Sequence, residues 1–467
     1  MPHRIIFIVS FCLISFKSFC QNTYIPDANF EQTLINLGYD TLPIDNSVPT
    51  ENINKITNLY LLDKGISDLT GIEDFKALTN LDCSFNKLTN IDVSSNLNLT
   101  ELYCNDNLLT NINISKNLNL IRLWCFKNKL TNLDISNNDN LISLRCEDNL
   151  LNSLHVTNLK KLNVLTFERN YISSIDVSNN TILNRLECGQ NLLESLNVEA
   201  NTNLSYLSCE ENQLKVLNVN NNNRLGILIC ANNQISKLNI SKNTKLTNLD
   251  ARYNDLCQLN LKNGNNSNMF PLNFSDNPNL NCVVVDNPNA NHTTWEPTSF
   301  KNYVDKIEDC SNFIYVDNLQ DYTGKGYTLP TLSNGHYFSE PNGNGTPLNP
   351  GDYITTSQTI YIYNQTACFS NESSFNVLIT ESDFFVPKYF TPNNDSNNDV
   401  WKVTDNTNII NNITIYDRHG KLIKFLASNS NGWDGTFNGQ LLPTDSYWYV
   451  IVLNTKEIIK GHFALKR

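Results

Sequence analysis

The sequence repeats itself every 21 residues, and that period limits what the chain can fold into more than any other feature. Leucines stand at 78, 99, 120, 141, 162, 183, 204, 225 and 246. A second leucine follows each of them after three residues, from Leu81 to Leu249. Asparagine then stands at 86, 107, 128, 149, 170, 191, 212, 233 and 254. Leu or Ile comes two residues beyond most of these asparagines, and usually again three residues later, so one unit reads L-x-x-L-x-C-x-x-N-x-L-x-x-L-x-V. A unit this short cannot bury its own apolar side and must stack on its neighbours. Each L-x-C is expected to be a short strand, with alternate side chains pointing in and out.

The spacing is that of a leucine-rich repeat. The expected fold is mostly β with short loops and 3-10 turns: a right-handed, curved solenoid of 21-residue coils. The asparagine falls where each coil turns, and its amide can satisfy backbone groups that the turn would bury unpaired. The cysteines follow the same logic. Cys83, Cys104, Cys125, Cys146, Cys188, Cys209 and Cys230 share one coil position, which Phe167 and Ala251 fill in two other coils. A position that accepts Cys, Phe and Ala is an inward apolar one. A metal or redox ladder is the competing reading, but ligand spacing such as C-x(2–4)-C is missing.

A solenoid needs lids over its raw ends. Residues 21–55 supply an N-terminal helical cap, with Asp27 as N-cap, Phe30, Leu34 and Leu37 on one apolar face, and Gly38 as the stop. The solenoid with its C-terminal cap is expected over 56–312. A variant coil leads it (Leu59, Leu61, Ile66, Leu69, Ile72, with Lys64 in the asparagine position). A loop at 263–267 and a partial coil through Leu272, Phe274, Asn277 and Leu280 close it. Cys282 with Cys310 is the preferred disulfide there; spacing alone leaves the connectivity open, and Cys257 is expected to be buried.

The N-terminus reads as a secretory signal peptide, residues 1–20. His3 and Arg4 precede an apolar run from Ile5 to Phe16, and Cys20-Gln21 is the expected cleavage point. A buried first helix and a lipid anchor at Cys20 are the alternatives; Ser18-Phe19 leads poorly into the second. No later stretch reaches the roughly 18 apolar residues that a spanning helix needs, so no transmembrane segment is expected after signal removal. The formal charge of −12 argues against a nucleic-acid partner, whose backbone calls for a basic surface.

Two small all-β, sandwich-like domains are expected after the solenoid. Residues 313–380 are rich in Gly, Tyr and Thr and carry alternating runs such as Thr359–Tyr363 and Phe375–Ile379. Residues 381–467 have strand-like runs at 413–416, 447–452 and 462–465, with turns at Asp417–Gly420 and Trp433–Gly435. This last unit resembles the type B sorting domain of the type IX secretion system, also called the gliding motility-associated C-terminal domain. The landmarks are Phe390-Thr-Pro-Asn-Asn-Asp395, Asn398-Asp-Val-Trp401, Ile415–Gly420, Trp433–Gly439, Pro443–Tyr449 and the ending Lys460–Arg467. One departure is Asn394-Asp395-Ser396 where the family has Gly-Asp-Gly. The resemblance implies a Bacteroidetes-type bacterium, passage across the outer membrane by the secretion machinery reading 381–467, and a final place on the cell surface or outside. The repeats are similar to internalin-like leucine-rich repeats, including the opening Ile25-Pro-Asp-Ala-Asn-Phe-Glu31, and 313–380 is similar to a linker sandwich that precedes such tails.

Catalytic signatures are missing. The six histidines are scattered, and there is no H-E-x-x-H, nucleophile elbow or phosphate loop. The expectation is therefore a non-enzymatic chain with no cofactor. One weak ion candidate is Asp395, Asn397 and Asp399, alternate oxygen donors that resemble part of a Ca²⁺ loop; an Asx-rich turn is the plainer reading. The third, fifth, seventh and eighth residues of each coil line the concave face, where solenoids bind. Tyr103, Arg122, Trp124, Phe126, Arg145 and Glu147 are the candidate ligand-binding residues, since Trp, Tyr and Arg dominate interface hot spots. The expected role is adhesion to, or binding of, an extracellular protein or glycan. A passive envelope spacer is the alternative, and an enzyme with its site assembled inside the repeats is a third.

Overall fold

A computed structural model describes residues 21–380, 384–395 and 397–467. The expected signal peptide lies outside the described residues. Two compact units are present, one ending at Cys310 and one spanning Ser311–Arg467.

The first unit is a β-solenoid. Its coils contribute three-residue strands to an eleven-stranded parallel sheet among the described residues, from Asn58–Tyr60 through Glu101–Tyr103 and Asn248–Asp250 to Leu272–Asn273. The register places the central leucines side by side, Leu81 on Leu102 and Leu102 on Leu123. These leucines and the flanking inward positions are fully buried in one continuous core. All seven repeat cysteines are buried in it and free. Burial pushes each of their thiols upward, that of Cys104 to about 12, because a thiolate would have no solvation there. In the last coils the opposite side of the turn also becomes extended. Lys237–Asn239, Gln258–Asn260, Val283–Val284 and Tyr303–Val304 make a four-stranded parallel sheet. The strand at Tyr303 belongs to a coil that lacks the leucine and asparagine signature, which is why the sequence pattern does not show it.

The asparagines at the turn do what their chemistry allows. Asn149 donates through Nδ2 to the carbonyls of Cys125, Cys146 and Glu147, at 3.1, 3.1 and 3.2 Å. Its Oδ1 accepts from the Leu130 amide of the preceding coil at 3.0 Å. The same set recurs at Asn107, Asn128 and Asn170. The residue before each ladder asparagine sits in the left-handed region without being glycine, for example Phe85 at φ 55°, Lys127 at 49° and Tyr253 at 52°.

A second asparagine ladder runs along Asn96, Asn117, Asn138, Asn180, Asn201, Asn222 and Asn243, all fully buried. Each donates Nδ2 to carbonyls of the preceding coil, as Asn138 does to Ile114 and Asn117 at 3.2 and 2.9 Å. Their Oδ1 atoms are buried without a hydrogen-bond partner among the described residues. Leu159 takes this position in the one coil that breaks the row.

The N-terminal lid is a helix over Ala28–Asn36. Asp27 caps it, accepting from the amides of Asn29 and Phe30 at 2.9 and 3.0 Å. Its other oxygen accepts from Ser67 N and Oγ, both at 2.8 Å, and so pins the lid to the first coil. Burial alone would raise this carboxyl, but the bonds from Ser67, Phe30 and Asp68 outweigh it and hold it below the usual range. Phe30 and Leu34 are buried as expected. Leu37 is not: it is the C-cap, past the last residue of the helix, and is 44% exposed. Glu31 is buried instead, its carboxylate accepting the amides of Asp45 and Asn46 at 2.6 and 2.9 Å. At the other end Cys282 and Cys310 form a disulfide with Cα atoms 5.6 Å apart; Cys257 is buried.

The second unit carries two five-stranded sheets among its described residues. In the first, Ser370–Ile379 pairs with Gln358–Gln365 over Ile360, Ile362, Phe375 and Val377. In the second, Asp445–Leu453 lies between Ile410–Tyr416 and Ile458–Leu465. Trp401 stacks on Phe463 at 3.9 Å, and Trp433 closes the cluster edge-on to Tyr447. Each indole N–H finds a carbonyl, Trp401 that of Pro387 and Trp433 that of Thr436, both at 2.8 Å. The two tryptophan landmarks of the tail are thus core residues whose backbones also pair with each other.

Candidate functional site

Alternation along three residues leaves each solenoid strand with a buried middle residue and two that face outward. Three adjacent strands, Glu101–Tyr103, Arg122–Trp124 and Ser143–Arg145, therefore carry most of the expected ligand-binding residues onto one patch. Tyr103 meets Trp124 edge-on with ring centroids 4.8 Å apart, and Phe126 lies 6.5 Å from Trp124. The Arg145 guanidinium sits 5.0 Å from the Trp124 ring and 4.8 Å from that of Phe126. It is held there by Glu147, with Nη2 to Oε1 at 2.6 Å. Glu147 is itself buried and accepts from Thr166 Oγ1 at 2.6 Å. Arg122 pairs with Glu101, which also accepts from the Tyr103 hydroxyl at 2.7 Å and from Asn80 at 2.9 Å. Burial first, and then the Glu101 bond and charge, push the Tyr103 phenol up to about 12. All six residues come together, and their charges largely neutralise each other.

Beside this group lies a concavity of about 260 Å³, which Tyr103, Trp124 and Phe126 share with Asp82, Ser84, Phe85 and Asn105. The last four were legible as outward positions of the two preceding coils. They lacked the Trp and Arg chemistry that drew attention to their neighbours. Trp124 Nε1 is buried and finds no acceptor among the described residues.

Further along the same face Arg185 stacks on Tyr206 at 3.9 Å and pairs with Glu187. Glu168 is crowded here. Burial, followed by repulsion from Glu187 and Glu210, raises its carboxyl to about 7, with Arg169 opposing.

Asp395, Asn397 and Asp399 sit in an Asx-rich turn. Asp395 accepts from Asn397 N at 2.8 Å and from Asn393 Nδ2 at 2.8 Å. Asp399 Oδ1 accepts from the amides of Asn393 and Asn394 at 2.9 and 2.7 Å. No group of three or more His, Cys, Asp or Glu among the described residues is placed to hold a metal ion.

Residues 384–465 match the CHU_C type IX secretion signal domain. The chain is thus an exported protein of the outer surface or the exterior, with a leucine-rich-repeat solenoid and a C-terminal secretion signal. No helix among the described residues is long and apolar enough to cross a membrane. Among solved structures, the chain is similar to the functional domain of InlJ from Listeria monocytogenes, which includes a cysteine ladder. The two are 20% identical, the match covers 96% of this chain and 99% of that one, and the TM-score is 0.48. A second similarity is to the Listeria monocytogenes internalin InlF, at 22% identity, 56% and 89% coverage and a TM-score of 0.37. A third is to a leucine-rich-repeat protein of Leptospira interrogans, at 25% identity, 44% and 57% coverage and a TM-score of 0.42. A comparison with curated proteins gives no match.

Proposed function

We infer that the chain is a surface adhesion or binding protein that recognises an extracellular protein or glycan through the outward, concave face of its parallel sheet. The observation that carries this reading is the Tyr103–Trp124–Phe126–Arg145 group beside an open concavity. Side chains that served only to hold the solenoid together would point inward, where the leucines already fill the core. Aromatic and guanidinium groups on a preformed rigid sheet bind with little ordering cost. Residues 384–465 serve export and take no part in target binding; their partner is the secretion machinery.

The second reading, a passive spacer, draws on the fact that Trp124 and Phe126 already have Arg145 against their rings. One experiment separates the two. The exported chain is screened against matrix proteins and a glycan array beside a Tyr103→Ala, Trp124→Ala double variant. Saturable binding that the variant loses supports recognition at this patch. Binding that the variant keeps removes the patch, and failure to bind any target favours the spacer.

A further inference from the structure

The concavity between the second and fourth coils has a chemistry of its own. Phe85, Tyr103, Trp124 and Phe126 supply its aromatic surface. Its polar members are Asp82, Ser84 and Asn105, of which Ser84 and Asn105 are each only 4% exposed and so lie deep. Asp82 and Ser84 are left as acceptors. Asn105 Nδ2 donates one of its two hydrogens to Asp106 Oδ2 at 2.9 Å, and its Oδ1 remains an acceptor. Ser84 donates its hydroxyl to Asp82 Oδ1, which leaves its lone pairs. Asp82 Oδ1 also accepts from Ser84 N at 3.1 Å, while Oδ2 has no partner among the described residues.

The charges point the same way. Arg145 is neutralised by Glu147, Arg122 by Glu101, and Lys127 lies 3.4 Å from Asp106. Asp82 has no ion-pair partner among the described residues, so the uncompensated charge at this concavity is negative. Phe85 stands at its rim, half exposed, in a left-handed backbone position that L side chains seldom adopt. Aromatic faces attract cations through their quadrupole. An unpaired carboxylate with further acceptors beside it suits a group that only donates, and an ammonium is such a group. A neutral sugar hydroxyl would leave the Asp82 charge uncompensated.

We propose that this concavity is the anchor pocket for a lysine side chain of a protein partner, its ammonium held among Phe85, Tyr103, Trp124 and Phe126 against Asp82. The proposal rests on the binding-face reading and sharpens it.

The test uses the full exported chain carrying 5-fluorotryptophan, with the Trp124 signal among its five tryptophans assigned from Trp124→Phe. Butylammonium, butanol, ethylguanidinium and methyl glucoside are titrated into the high millimolar range at constant ionic strength, which keeps screening equal. Butylammonium should shift the Trp124 signal saturably, and butanol should not. Asp82→Asn keeps an oxygen for the Ser84 amide, so the turn survives, yet the midpoint should rise roughly tenfold with loss of the charge-assisted contact. Phe85→Ala should weaken the response as well. The proposal is overturned by equal shifts from butanol, by an unchanged midpoint in Asp82→Asn, by a stronger response to ethylguanidinium or methyl glucoside, or by no Trp124 shift at all. If the ammonium response fails while the Tyr103→Ala, Trp124→Ala variant still loses its target, the lysine assignment falls and the binding face stands.

Discussion

Replacing one asparagine by leucine in each ladder should give opposite results, although both sites are buried and both lose an amide. In Asn149→Leu the three carbonyls keep other donors. Cys125 O still accepts from Asn128, Cys146 O from Asn170, and Glu147 O from Lys127 N. The Leu130 amide, whose partner is Asn149 Oδ1, is left buried and bare. An orphaned buried donor costs about 1–3 kcal/mol, and the three lost bonds add roughly 1 kcal/mol between them because their acceptors stay satisfied. The expected loss is about 2–4 kcal/mol. In Asn138→Leu both acceptors remain bonded, Ile114 O to Asn117 N and Asn117 O to Leu120 N. The substitution also removes an Oδ1 that is buried without a partner. The lost bonds and the relieved penalty are of similar size, about 1–2 kcal/mol each, so the change should be near zero; Leu159 already shows that leucine fits there. Urea unfolding followed by circular dichroism gives the two midpoints, and hydrogen exchange at Leu130 locates the damage. Equal destabilisation of the two variants, or unchanged protection at Leu130 in Asn149→Leu, would refute the argument.

Trp124→Phe removes a buried N–H with no acceptor and should leave stability within about 0.5 kcal/mol of the parent, or raise it, by the same urea assay. The seven ladder thiols should resist a bulky alkylating reagent at mildly alkaline pH until the chain unfolds, because burial keeps them protonated and out of reach; rapid native labelling would contradict this. Glu168 has a folded-state pKa of about 7 against an ordinary 4.5. The folded chain therefore keeps a proton that the unfolded chain has released, and stability should fall as pH rises through that interval. Glu168→Gln should flatten the fall, on the order of 1–2 kcal/mol between about pH 5 and 8; identical pH profiles would show that the crowding at Glu187 and Glu210 has no such effect.

The repeat, its turn asparagines and its buried cysteines were legible because a solenoid imposes one environment at each position of its period. A residue type that recurs every 21 residues thus reports the same pocket many times over. The export tail was legible for a different reason: its Trp401 and Trp433 landmarks are core residues that the small sheet cannot do without. Where the period lapses, the pattern loses its voice. The coil that ends at Tyr303 and the exposure of Leu37 depended on how the ends close. The second asparagine ladder was present in the letters, yet its unsatisfied oxygens emerge only when coils stack and exclude water. The binding patch divides in the same way. Alternation along each strand placed Tyr103, Trp124, Phe126 and Arg145 outward from sequence alone. Tertiary structure alone decided that Arg145 would lie over both rings while Asp82 kept its charge unpaired, because those outcomes depend on distances between coils and on which carboxylates their neighbours had already claimed.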